Sequence, residues 1–257
     1  MAKKRLRKFW HHVLDVVDGV TGRKVPPRFM PKELVEAYTL GGKIPVLHKY
    51  FNNLNTGGLV WTPDSPEWDL DKVRRRETDY YSKTDTYLYE ALDKYLIRDK
   101  EVVIVGSESP WYECICTSYG AKVTTIEYRT VDCSIPGLKV LKPDEFAKTP
   151  TRFDVVMSIS SIEHDGLGRY GDPLNPTGDL KAMSEFKKLL KPGGLLFLAM
   201  PVGQDAVTWN SHRIYGRKRL PMLFDGWNVV ARFGFDDSLF DNPLGHIADQ
   251  PVFVLSH

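Results

Sequence analysis

The chain is short of cysteine, has no long apolar run and carries almost no net charge, and each shortage removes a class of protein. Its three cysteines, Cys114, Cys116 and Cys133, are too few and too irregularly spaced for a disulfide framework or a zinc site. Cys114 and Cys116 fall two apart in an expected helix and point in different directions, so both are read as small buried apolar residues. No stretch reaches the roughly eighteen apolar residues that cross a bilayer. The N-terminus lacks a continuous apolar core and a small-residue cleavage site, so no signal peptide is read there and a cytoplasmic location is expected. A net charge of +2 on 257 residues gives no general affinity for nucleic acid. Internal repeats and low-complexity tracts are missing too.

What is present suits a folded domain: 42% of residues are hydrophobic and 26% charged. Residues 1–97 read as an N-terminal extension and 98–257 as an α/β domain. Within the extension, Lys3, Lys4, Arg5, Arg7 and Lys8 precede any acid. Residues 4–17 place Leu6, Phe9, Trp10, Val13, Leu14 and Val17 on one helical face. Such a helix either packs on the domain with its basic face in water or lies peripherally on an anionic membrane surface. Glycine and proline then mark an irregular connector over 19–35 and a turn-rich stretch over 40–72, anchored by Trp61 and Trp68. Residues 77–97 read as a helix whose apolar stripe runs from Tyr80 to Leu96.

From residue 101 the pattern alternates. A short β-branched run at 102–105 and further strand-like segments at 122–127, 138–141, 153–159 and 195–200 are separated by helical stretches near 110–119 and 177–190. A helix is expected over 214–224, followed by two final strands at 227–233 and 251–255. Strands alternating with helices predict a parallel sheet covered on both faces, and the turn-rich link between the last two strands predicts one antiparallel strand.

Chemistry concentrates in five places. The first is the turn Val105-Gly106-Ser107-Glu108-Ser109-Pro110, where a strand runs into a helix. Glycine there lets a ligand approach the backbone, and the helix start offers unpaired N–H groups. Only one glycine of a G-x-G-x-x-G pattern is present, which counts against a dinucleotide pyrophosphate and hence against a nicotinamide-dependent oxidoreductase. The second is Glu127, about twenty residues on at the next strand end, the spacing at which an acid accepts ribose hydroxyls. The third is Lys191-Pro192-Gly193-Gly194, opening a strand. The fourth is the loop after the 153–159 strand, Glu163-His164-Asp165 and then Arg169, Tyr170 and Asp172 among glycines. The fifth is Asn210-Ser211-His212-Arg213-Ile214-Tyr215, which should reach the same sheet edge. No tight ligand spacing links His164, His212 and a carboxylate, so no metal is expected.

The segments VVIVGSES (102–109), TTIEY (124–128), FDVVMSISSIEH (153–164) and LLKPGGLLFLAMP (189–201) resemble, in order and spacing, the class I S-adenosylmethionine (SAM)-dependent methyltransferase superfamily. That resemblance covers about residues 100–257 and implies a seven-stranded Rossmann-like sheet in the order 3-2-1-4-5-7-6 with strand 7 antiparallel, and SAM as cofactor. Ser107, Ser109 and Pro110 stand where the superfamily usually has glycines. More narrowly, SSIEHDGLGRYGDPLNPTGDLKAM (160–183), WNSHRIYG (209–216) and LFDGW (223–227) look like the methyltransferase-like family called domain of unknown function 268.

Gly106, Ser107, Glu108, Ser109, Glu127, Tyr128, Ser158 and Ser160 are then the expected cofactor residues. His164 is the first choice for a general base near neutral pH and His212 the second. Asp165, Arg169, Tyr170, Asp172, Asn210, Arg213 and Tyr215 are expected to bind the acceptor, a sugar, glycan or other small polar molecule methylated on oxygen. The degenerate glycine turn and the basic N-terminal segment motivate an alternative, a non-catalytic binding or scaffold protein held at a membrane surface.

Overall fold

The computed structural model describes residues 26–53, 57–246 and 250–257, so the basic segment 4–17 and the start of the 19–35 connector lie outside the described residues. In chain order the first elements are α1 (Val35–Tyr38), β1 (Val46–His48), β2 (Leu59–Trp61), α2 (Leu70–Arg74) and α3 (Lys83–Lys94). Then come β3 (Glu101–Val105), α4 (Trp111–Ser118), β4 (Lys122–Ile126), β5 (Val131–Cys133), β6 (Lys139–Leu141), α5 (Pro143–Phe146) and β7 (Phe153–Ile159). The chain ends with α6 (Gly178–Leu189), β8 (Leu190–Ala199), β9 (Ala206–Trp209), β10 (His212–Ile214), α7 (Arg219–Leu223), β11 (Asn228–Phe233) and β12 (Val252–Ser256).

Seven strands form the main sheet in the order β11-β12-β8-β7-β3-β4-β6. Its pairs are parallel except at β12, which runs antiparallel to both neighbours. Taking β3 as the first core strand, this is the expected order 3-2-1-4-5-7-6. The sheet is covered on both faces, and strand alternation sorts the apolar residues between them. Val102, Ile104, Val155, Met157, Phe197 and Val254 share one core with Leu88 and Leu92 of α3 and with Cys114, Ile115 and Cys116 of α4. Val103, Val156, Leu196, Leu198 and Phe253 share the other with Met183 and Phe186 of α6 and Leu220 and Leu223 of α7.

The N-terminal segment is woven into this frame. β1 adds parallel to β9 in a second sheet, β1-β9-β10, and β2 pairs in parallel with β5. A small third core of Met30, Tyr38, Ile44, Leu167, Val207 and Trp209 lies beneath. Trp61 is buried and Trp68 packs against the first core, as anchors should. Asp85, fully buried in α3, accepts hydrogen bonds from the Asp79 amide (2.7 Å), the Trp111 indole (2.9 Å) and the Tyr112 hydroxyl (3.1 Å). These bonds fix α3 to the start of α4, directly behind the Gly106 turn.

Several expectations are corrected. The helix expected over 77–97 spans only Lys83–Lys94, and the ends of its stripe, Tyr80 and Leu96, are 85% and 72% exposed. The stretch 40–72 contains β1, β2 and α2, whose strand partners lie more than 70 residues away. The helix expected over 214–224 starts only at Arg219, because His212–Ile214 pairs with β9. Its start is set by Asp205, whose carboxylate accepts from the amides of Gly216, Lys218 and Arg219 at 2.9 Å each. The strand expected from Leu195 begins at Leu190, so the Pro-Gly-Gly turn lies inside β8, where the register against β7 shifts. Among the described residues no helix is long and apolar enough to cross a membrane.

Candidate active site

One cleft of about 1410 Å³ opens at the carboxyl ends of β3, β4 and β7. Ligands of open α/β sheets bind at that edge, and the volume exceeds the roughly 300–1,000 Å³ of a single small-molecule pocket. Room for two substrates is therefore available.

At one end the Gly106 turn meets Glu127. Gly106 has φ +75°, a left-handed conformation that favours glycine, and a Cβ there would fall 2.0 Å from the Ser161 hydroxyl oxygen. The Glu127 carboxylate accepts the Ser107 amide (2.9 Å) on one oxygen and the Arg129 amide (2.8 Å) on the other. Each oxygen keeps a lone pair for a ligand hydroxyl. Burial raises the Glu127 pKa, against which the Arg129 and Ser107 amides pull it down. Glu108 and Ser109 also line the cleft, and Tyr128 stands at its rim, 82% exposed.

Beneath the turn lies Glu113, which sequence reasoning missed. It is fully buried, accepts from Thr125 (2.8 Å), contacts the Ser107 hydroxyl (3.1 Å), and is pushed up to about 7 by burial. The Ser107 hydroxyl has two acceptors within reach, the Glu113 carboxylate at 3.1 Å and the Ser109 carbonyl at 2.9 Å. The serine that replaces a glycine is thus part of an internal network that shapes the turn.

At the other end the structure brings together His164 and His212, with ring centroids 6.4 Å apart and both rings on the cleft. His164 Nδ1 lies 2.6 Å from the Ser211 carbonyl oxygen and therefore carries the hydrogen, leaving Nε2 as the lone-pair nitrogen. His212 Nδ1 meets the Ser211 hydroxyl at 2.8 Å, and its Nε2 is buried without a partner. Burial, with Arg169 close to both, lowers His164 to about 3 and His212 to about 4. Lowering of this size disfavours the protonated form of both rings.

Beside them, Arg169 lies over the rings of Phe51 (4.7 Å) and Tyr170 (4.9 Å), its Nε buried without a partner. Lys49 sits over the same Phe51 ring at 5.2 Å. Asp172 folds the loop by accepting the Gly168 and Tyr170 amides at 3.0 and 3.3 Å. Asp165 lines the cleft and is pushed up to about 8 by burial and by Asp172.

Four expected site residues do not line the cleft. Ser158 is buried within β7 and donates to the Val105 carbonyl (3.3 Å). Asn210 is buried and bonds the Phe51 backbone in both directions, at 2.8 and 2.9 Å, which holds Phe51 and Lys49 at the histidine end of the cleft. Arg213, fully buried, donates to the Asp165 carbonyl (2.6 Å) and lies 3.7 Å from the Asp179 carboxylate. Tyr215 donates to Asp179 at 3.1 Å. These side chains hold the loops that carry the site.

Ser160 does line the cleft, in a left-handed conformation (φ 51°), and its hydroxyl donates to Glu163 at 2.7 Å while accepting from Gln250 at 3.0 Å. Glu163 is singled out in the sequence only as part of its loop, with no role of its own, and Gln250 is not singled out at all. Gln250, Lys49 and Phe51 carry no local signal.

A seven-stranded sheet of this order, with a glycine turn set against an acid at the next strand end, defines a Rossmann-like fold of the methyltransferase type. The chain belongs to the family described as "Caenorhabditis protein of unknown function, DUF268", whose model matches residues 99–241, more than half of its length. Similar solved structures include a ribosomal protein L11 methylase from Lactobacillus delbrueckii subsp. bulgaricus (12% identity, 70% of this chain and 80% of that one, TM-score 0.45). Another is the 1,6-didemethyltoxoflavin-N1-methyltransferase of Burkholderia thailandensis with 1,6-didemethyltoxoflavin and S-adenosylhomocysteine bound (13%, 65% and 74%, 0.45). A third is the N-methyltransferase NodS of Bradyrhizobium japonicum WM9 (15%, 75% and 96%, 0.44). These likenesses concern the fold alone. Among curated proteins none matches the sequence. Among the described residues no group of three or more His, Cys, Asp or Glu side chains is arranged to hold a metal ion.

Proposed function

We propose that the chain transfers the methyl group of SAM to an oxygen of a small polar acceptor, a hydroxyl of a sugar or glycan. The observation that carries this reading is the single cleft that joins the Gly106–Glu127 recess to the His164–His212 end. The residues fit SAM: Glu127 keeps lone pairs for ribose hydroxyls, and the turn from Gly106 to Ser109 borders the recess where the methionine end would lie. SAM supplies a methyl group on a positively charged sulfur. The protein binds, orients and excludes water, and positioning of this kind supplies much of the rate. Neutral His212, through its unpartnered Nε2, orients a hydroxyl of the acceptor. Arg169 and Lys49 hold an anionic substituent if the acceptor carries one. Phe51 and Tyr170 close the apolar sides.

Titration calorimetry with SAM tests the reading. Glu127→Ala removes the ribose acceptors and strands the Ser107 amide, a loss of about 1.5–3 kcal/mol, or roughly 10- to 100-fold in affinity. A screen of sugar acceptors for released S-adenosylhomocysteine (SAH) then identifies the substrate. One observation favours the non-catalytic alternative: both Glu127 oxygens are already engaged by backbone amides. In that case SAM gives no binding heat, and residues 4–17 are the part to test against anionic vesicles.

A further inference from the structure

Among the cleft residues one carboxylate stands apart. Glu163 is 1% exposed and lines the cleft, yet only one of its oxygens is bonded. Oε1 accepts from Ser160 at 2.7 Å, and Oε2 has no partner. The Ser160 hydroxyl donates to Oε1 while it accepts the Gln250 amide at 3.0 Å. With Oε1 holding that hydrogen, Oε2 is the oxygen left free to take a proton. An unpaired buried carboxylate oxygen carries a large desolvation penalty, so a persistent orphan here points to a ligand. Glu163 also sits two residues from Ser161, the residue packed against the Gly106 turn.

We propose that Glu163 is the proton acceptor of the methyl transfer, with Oε2 taking the hydroxyl hydrogen of the acceptor. The assignment rests on the methyl-transfer reading above. The acceptor oxygen forms a bond to the methyl carbon with its own lone pair. The carbon–sulfur bond breaks with its electron pair left on sulfur, and the O–H proton passes to Oε2. The positive charge of the donor and the negative charge of the carboxylate disappear together, leaving neutral SAH, the methyl ether and a carboxylic acid.

The surroundings suit the task. Burial pushes Glu163 up to about 7, with the Ser160 hydroxyl and the guanidinium groups of Arg169 and Arg213 drawing it back. A proton acceptor works best near the operating pH, whereas the two neighbouring imidazoles are held far below it. The other groups facing Glu163 are Asp165 on its own loop, Tyr81 before α3, Tyr170, and Tyr215 after β10. The tyrosines are all raised by burial and stay neutral, and Asp165 is raised to about 8.

The test compares SAM with SAH by calorimetry on the full chain, in buffers of unequal ionisation enthalpy. The two ligands differ by one methyl and the charge on sulfur, which also shifts the ligand's own amino group, so the protein's response is the part of the difference that Glu163→Gln removes. If the positive sulfur lowers Glu163 by one pKa unit, SAM releases roughly 0.4 proton more than SAH at pH 7. The SAM-to-SAH affinity ratio then rises about fivefold between pH 6 and 8. Glu163→Gln removes the protein's part of both effects, and Glu163→Asp, which keeps a carboxylate, retains it. Equal proton counts for SAM and SAH in the wild-type chain overturn the assignment even if the Gln variant does not fold. So does a folded Gln variant that keeps the full difference. A wild-type chain that binds neither ligand removes the methyl-transfer reading itself, which is a separate result.

Discussion

Replacing Asp179 with Asn keeps the shape of a fully buried side chain and deletes its charge. In the folded chain this carboxylate faces two guanidinium groups. Arg219 donates to it through Nε at 2.8 Å and Nη2 at 2.6 Å, and Arg213 Nε lies 3.7 Å away. Arg213 and Arg219 are 0% and 2% exposed, so water does not compensate for the lost partner. Removing one partner of a buried ion pair costs about 3–5 kcal/mol, because the remaining charge stays desolvated. For a chain of this size that is a fall in Tm of roughly 6–20 °C. Equilibrium urea unfolding followed by tryptophan fluorescence measures the change directly. The consequence reaches the site, because Arg213 holds the carbonyl of Asp165 and thereby the loop bearing Glu163 and His164. Acid should mimic the substitution. Burial raises Asp179, but Arg213 and Arg219 outweigh it and hold the carboxyl below its ordinary 3.8. A depressed folded pKa means the stabilisation is present above that value and is lost as pH falls below it. An Asp179→Asn chain that unfolds within 1 kcal/mol (order of magnitude) of the wild type, or one with the wild-type acid limb, would refute the reasoning.

Gly106→Ala should destabilise by about 1–2 kcal/mol from its left-handed backbone alone, with a further loss from the Ser161 clash. Adding Ser161→Gly should recover only that second part, and thermal unfolding of the single and double variants separates the two. NMR titration of the ring protons should find His164 and His212 neutral down to about pH 5, since burial lowers them to about 3 and 4. The unfolded chain takes up those protons near pH 6.5, so the pair's contribution to stability declines as pH falls from about 6.5 toward 4. A midpoint between pH 6 and 7 for either ring contradicts the burial argument.

Much of the frame was legible because the forces that set it are local. Val102–Val105 announces itself by an unbroken β-branched run and Phe153–Ile159 by a largely apolar one, and the acid at Glu127 follows the turn at a spacing set by one helix and one strand. Where pairing is long-range the signal disappears. β1 and β2 are three residues each, too short to show a period, and exist as strands because β9 and β5 supply their partners. Leu96 fits an apolar stripe by spacing, but the helix ends before it and leaves it in water.

At the site the division follows the same physics. By itself the sequence determined which loops meet at the sheet edge, since topology and strand direction carry the Gly106 turn, Glu127 and His164 to one end. It could not rank the side chains on those loops. Arg169 and Arg213 look alike in sequence, yet one opens on the cleft and the other is buried against backbone carbonyls and Asp179. Nor could it see that Gln250, almost ninety residues away, orients the hydroxyl that orients Glu163. Burial and hydrogen bonding between distant segments decide which groups are spent on the fold and which are left over for chemistry, and those quantities exist only once the chain has folded.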